Sequence, residues 1–298
     1  MDTKKQILNC LEELIEREAQ YTPVLSLNEI TQLKKGFSFS IDHPHYPKNS
    51  LDSFAIVSTF FKKNYPKYYD MIQDGIEKGS IRISHDIATM KKSCFDFITM
   101  TSYILLQEND GDLFLLVHEL GHFIDVNLSP TLVPYEKKYL CETIAFYMEK
   151  KLQSYLLSLD KRYQDLIEMR ILARLYFEKR FLKRIDHLLF YINLYQKHGF
   201  IPNEYYDEKK IQPLLTKNYD HLIDYYLRYP LGNLYSTYLI NHEMPLTRES
   251  INYLPTIPFQ ELMNCLQEEL PLIKVKKKDQ RIFLSISSNV GSILSTNN

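Results

Sequence analysis

Apolar residues recur along most of this chain at helical spacing. Ile7, Leu11, Leu14 and Ile15 make one stripe over residues 3–20, which predicts an amphipathic surface helix. The same spacing runs through 51–79, with a break allowed at Pro66, and then through 142–159 and 163–195. Residues 81–89 and 94–106 differ. They are rich in Ile, Phe, Thr and Tyr and partly alternate, so they read as two strands joined through 89–93. Residues 113–117 are apolar without interruption, which implies a helix whose first turns are buried on all sides, with Asp110 and Asp112 as N-cap candidates. Residues 21–49 look irregular, and His43 and His45 within them flank Pro44 as ordinary exposed loop histidines.

Breakers are sparse. The chain has eight glycines, and its thirteen prolines avoid residues 67–129 and 135–201. The expectation is a mainly α protein with a small antiparallel β-sheet. One domain over 1–284 is predicted: N-terminal helices to 80, a sheet over 81–106, a helical core over 107–284, and a loose tail at 285–298. Pro130 and Pro134 mark a turn that brings the helix after them back alongside the one before.

Charge changes little in this picture. With 36 basic and 37 acidic residues, composition gives no hint of a nucleic-acid partner. The basic residues between Lys161 and Arg184 read as a solvated helix face paired with Glu168, Glu178 and Asp186. No apolar run approaches the roughly 20 residues that span a bilayer, and the N-terminus leads into a helix instead of a secretion signal. A cytoplasmic protein without a membrane partner is expected, its four scattered cysteines reduced.

The chemistry sits in His118-Glu119-Leu120-Gly121-His122. One helical turn separates His118 from His122, so both imidazoles leave the same face and can close on one tetrahedral ion. Glu119 lies about 100° around the helix, placed to act as general base on a water held by that ion. Glu142, at the start of the next helical pattern, could complete a two-His, one-Glu zinc site with a fourth position left for water. Glu149 is two turns beyond Glu142 on the same face; it is either a solvated carboxylate or the partner that orients a ligand imidazole. The bland alternative for the whole motif is a buried helix whose histidines are satisfied by ordinary partners.

At this point the chain resembles the thimet oligopeptidase and oligoendopeptidase F family of zinc metallopeptidases, and the oligoendopeptidase F branch most. Ser102-Tyr103-Ile104-Leu105 through Asn109-Asp110-Gly111-Asp112 is similar to the segment that precedes the family's His-Glu-x-Gly-His helix, and Glu142, Ala145 and Glu149 follow its second signature. The resemblance spans residues 51–238. It implies a zincin-like catalytic domain that holds one Zn²⁺ through His118, His122 and Glu142 and cuts short peptides as a zinc metalloendopeptidase with Glu119 as base. It also implies that Tyr225, Tyr229 or His221 stabilises the oxyanion. In such peptidases the strand before the helix forms a wall of the cleft, so Ser102, Tyr103, Ile104 and Leu105 are the expected edge for an extended substrate. Asp125 stands where the family often has His and is placed with Glu149 around the ligands. Pro230 replaces a helix-tolerant residue and is expected to bend its segment. The family's long N-terminal half has room here only in part, so a more open cleft is implied. A peptidase-derived binding, immunity or sensor module that keeps the metal but not the turnover is the rival reading.

Overall fold

The computed structural model describes residues 3–37, 45–48, 51–86, 90, 93–96, 99–128, 138–216 and 221–269. His43, the turn at Pro130 and Pro134, and the tail at 285–298 lie outside the described residues; His45 is exposed.

Local chemistry sets most helix ends. Helix α1 (Thr3–Ala19) buries Leu8, Leu11, Leu14 and Ile15, with Leu8 taking the place in the stripe expected of Ile7. Helix α2 (Leu27–Gly36) lies inside the stretch that looked irregular. A capping box starts it, in which the Ser26 hydroxyl accepts the Glu29 N–H and the Glu29 carboxylate accepts the Ser26 N–H. The 51–79 pattern divides into α3 (Ser53–Asn64) and α4 (Pro66–Glu77), since Pro66 cannot continue the first helix and suits the first turn of the second.

Strands β1 (Ile81–Ser84), β2 (Cys94–Asp96) and β3 (Thr101–Leu105) follow, in the order β1-β3-β2. The sheet is mixed, not antiparallel as the strand pattern suggested: β1 runs parallel to β3, and β2 antiparallel to it. The second expected strand is really two, separated by a turn in which Met100 takes a φ of 53°. Consequently β3 is the central strand, and Ser102–Leu105 is no free edge. Its residues pair with β1 on one side, while Tyr103 and Ser102 pair with Cys94 and Phe95 of β2 on the other. The Leu105 N–H is taken by the Ser93 hydroxyl at 2.9 Å.

Helix α5 (Asp112–Leu128) begins where the Asp112 carboxylate accepts the backbone N–H groups of Gln107 and Asn109, at 2.7 and 3.3 Å, and ties down the loop from β3. Leu113, Phe114, Leu116 and Val117 are all fully buried, each contributing about 1.5–3 kcal/mol. They pack α5 against α3, α4, α6 and β3. Helices α6 (Thr143–Leu159), α7 (Gln164–His198), α8 (Glu208–Leu215), α9 (Leu222–Asn241), α10 (Arg248–Tyr253) and α11 (Phe259–Glu269) complete the chain. Gly199, at φ 74°, ends α7. Helix α9 is capped from a distance, by Glu18 Oε1 accepting the Leu222 N–H at 2.8 Å, and it continues as a helix through Pro230. Helix α6 lies between α5 and α9 and touches both. No helix among the described residues is long and apolar enough to cross a membrane.

Candidate metal centre

Two elements supply the three residues of the centre. Helix α5 projects His118 and His122 with their rings perpendicular and 4.8 Å apart. Glu142 sits in the turn that opens α6, its carbonyl accepting the Phe146 N–H at 3.0 Å. Its carboxylate Oε2 lies 3.2 Å from His118 Nε2 and 3.6 Å from His122 Nε2. Donors around a tetrahedral zinc ion stand about 3.3 Å apart, so both separations suit one ion. Among the described residues, His118, His122 and Glu142 are the group whose ligand atoms all fall within 4.8 Å of one another. Glu142 Oε2 is also buried without an aligned hydrogen bond, a state that costs about 1–3 kcal/mol unless a cation or donor meets it. The donor set therefore fits a divalent ion.

Close helix approach makes this convergence possible. A Cβ on Gly121 would stand 2.6 Å from Ala145 Cα, and one on Gly232 would stand 2.6 Å from Glu142 Cβ. Two glycines thus let α5 and α9 close on α6 from opposite sides at the level of the ligands.

The carboxylates are each held by an arginine. Glu149, fully buried, accepts from the His118 Nδ1–H at 2.6 Å, so Nε2 is the nitrogen that faces Glu142 and would bind an ion in exchange for its proton. Arg170 grips Glu149 with two bonds, at 2.6 Å from Nε and 2.5 Å from Nη2. Burial would raise the Glu149 carboxyl, but Arg170 and His118 hold it down at about 2. Glu142 is held at about 2 in the same way, burial being outweighed by Arg228, whose Nε is 3.3 Å from Oε1, and by the histidines. Burial keeps His122 neutral, down to about 4. Burial opposes charge on His118 as well, yet its two carboxylate neighbours lift it to about 10. Glu119, buried beside His118, is lifted by that burial to about 7, with His118 opposing and Glu142 assisting. A carboxylate of that basicity suits proton transfer at neutral pH.

The other expected residues divide. Tyr229 is placed at the centre: its ring packs against Phe146 and Phe181, at 5.9 and 4.5 Å, and burial together with Glu142 keeps its hydroxyl protonated. Tyr225 is buried against Phe181 and Tyr226. His221 stacks on Tyr21 at 3.5 Å, at the start of α9. That is about 10 Å of helix rise before Arg228. Asp125 pairs with Arg248, whose Nη1 is 3.1 Å from Oδ1 and whose Nη2 donates to its carbonyl at 2.7 Å; burial raises its carboxyl to about 6. Ser102 is buried under α5, its hydroxyl 3.5 Å from the Glu119 carbonyl, while Tyr103 lies under the Arg82 guanidinium and Ile104 and Leu105 are core.

Arg170, Arg228 and Arg248 carry no motif. Arg170 and Arg174 are not on a solvated face as their charge suggested; Arg174 is 2% exposed, and Asp186 pairs with Lys34 of α2. A signal was present nonetheless. Both arginines fall on the stripe of Ile167 and Ile171, which α7 buries.

No protein-family model matches the chain, and no curated protein does. Among solved structures, the chain is similar to the crystal structure of a provisionally assigned oligoendopeptidase F from Bacillus anthracis str. Ames, at 13% identity and a TM-score of 0.39, over 87% of this chain and 52% of that one. It therefore spans about half the length of that protein.

Proposed function

We propose that this chain is a zinc-dependent metallopeptidase that hydrolyses short peptides. The observation that carries the reading is the meeting of two imidazoles and a Glu142 oxygen within 4.8 Å of one another, with the buried Glu119 carboxylate on the residue adjoining His118. His118, His122 and Glu142 would hold the ion. When bound, zinc supplies Lewis acidity, which acidifies a water and polarises a peptide carbonyl. Glu119 accepts the proton of the attacking water and returns it to the departing amine. Tyr229, kept protonated by burial and by Glu142, would donate to the oxygen of the scissile carbonyl. Arg170 fixes Glu149, which fixes the tautomer and tilt of His118.

Glu119→Gln tests the assignment. The variant should bind zinc stoichiometrically and lose cleavage of internally quenched peptides by at least about 100-fold. Undiminished turnover in that variant would sink the proposal.

A further inference from the structure

Arg170 and Arg228 each meet a carboxylate of the centre, but they do so differently. Arg170 engages Glu149 through two short parallel bonds, the arrangement by which an arginine is fully committed to one carboxylate. Arg228 touches Glu142 only through Nε, at 3.3 Å, and that buried Nε has no aligned hydrogen bond. Its guanidinium is held in place instead by two rings, with Tyr225 at 4.3 Å and Tyr229 at 5.0 Å from its carbon. The half-buried Cys141 lies on the same side, its Sγ 3.8 Å from the same Glu142 oxygen. The side chain keeps 19% of its surface exposed, similar to the 17% of His122. A cation held by these contacts and by Cys141 thus stands one carboxylate's width from the point where the three ligands converge.

We propose that Arg228 is a catalytic residue, whose guanidinium donates to the oxyanion that forms on the scissile carbonyl beside the Tyr229 hydroxyl. This rests on the peptidase reading above. As the oxygen of water bonds to the carbonyl carbon, the π pair of the C=O bond moves onto oxygen and the water's proton passes to Glu119. On collapse that pair re-forms the C=O bond, the C–N bond breaks, and the nitrogen leaves with the proton that Glu119 returns. Carboxylates at 119 and 142 border the place where the negative charge grows, so a fixed positive charge there lowers the barrier more than it tightens the ground state. Lysine would keep the charge but lose the planar fork.

The experiment compares wild type, Arg228→Gln and Arg228→Lys as zinc-loaded proteins. It reads kcat and KM on a quenched peptide, zinc content, and affinity for a phosphinic peptide, whose tetrahedral anion mimics the oxyanion. Arg228→Gln should keep its zinc, lose about 100- to 1,000-fold in kcat with KM nearly unchanged, and lose phosphinic-peptide affinity by a similar factor. Arg228→Lys should lie between the two; if the glutamine variant does not fold, a lysine variant equal to wild type overturns the proposal. Turnover within about threefold of wild type does so too, as does loss of zinc, which would make Arg228 only a partner of Glu142. A rise in KM confined to peptides with a free α-carboxylate, absent for their amides, would make it a terminus anchor and equally overturn it. Should wild type cut no peptide, the peptidase reading fails by itself. Weaker phosphinic-peptide binding by Arg228→Gln would then still support the oxyanion contact, and unchanged binding would refute it.

Discussion

Replacing Gly121 with alanine sets two effects of opposite sign against each other. In an ordinary helix interior the change stabilises by about 1 kcal/mol, because alanine is the better helix former. Here the new methyl would lie 2.6 Å from Ala145 Cα, 3.2 Å from Ala145 N and 3.3 Å from the Ile144 carbonyl oxygen. Carbon atoms rest about 3.5–4.0 Å apart, so α5 and α6 must separate by about 1 Å at this level. Backbone is on the far side of the contact, and no side-chain rotation relieves it. The separation acts on the very distances that define the centre, 3.2 and 3.6 Å from Glu142 to the imidazoles, where ligand positions tolerate about 0.2 Å. Overpacking of this kind costs about 1–3 kcal/mol. Expressed in zinc affinity, that is a loss of about 5- to 150-fold. Urea unfolding of the chelator-treated variant reads the stability, and competition with a zinc chelator reads the affinity. A variant as stable as wild type or more so, with unchanged zinc affinity, would refute the idea that Gly121 is there for helix contact.

Two other outcomes follow from the charges around the centre. Arg170→Met leaves Glu149 buried without its partner; it should destabilise the protein by about 3–5 kcal/mol and weaken zinc binding by about 10- to 100-fold, both measurable by thermal unfolding with and without zinc. Wild-type stability in the variant would mean that Glu149 draws nothing from Arg170. The pH dependence has a definite sign: Glu142 and Glu149 are held in the folded protein at about 2, below their ordinary 4.5. The stability they contribute is therefore complete above about pH 4.5 and is lost as pH falls towards 2. Urea midpoints of the chelator-treated protein should fall steeply across that window, less so in Glu149→Gln; a flat profile in wild type would contradict the pairing.

Much of the centre was legible in the chain because it is local. His118, Glu119 and His122 share one helix, and the helical repeat alone determines that the two imidazoles emerge on one face with the carboxylate beside them. Glu142 and Glu149 are likewise two turns apart at the start of a single pattern. Helix boundaries at Pro66 and Gly199 follow from the missing N–H of one residue and the left-handed backbone of the other. What the chain concealed is non-local. Strand pairing depends on which segment meets which in space, so β3, which reads in sequence like half of a hairpin, became the centre of a mixed sheet. Arg170 and Arg174 read as surface charge because periodicity reports a shared face but not what lies opposite it, and Arg228 carried no signal of its own. Only the tertiary arrangement, with α9 packed on both α6 and α7, shows that Arg170 and Arg228 each answer a carboxylate from another element. Gly121 and Gly232 are visible as glycines in any reading; that each makes room for α6 is decided by a helix distant in sequence, because close packing is a property of the pair and not of either strand of text.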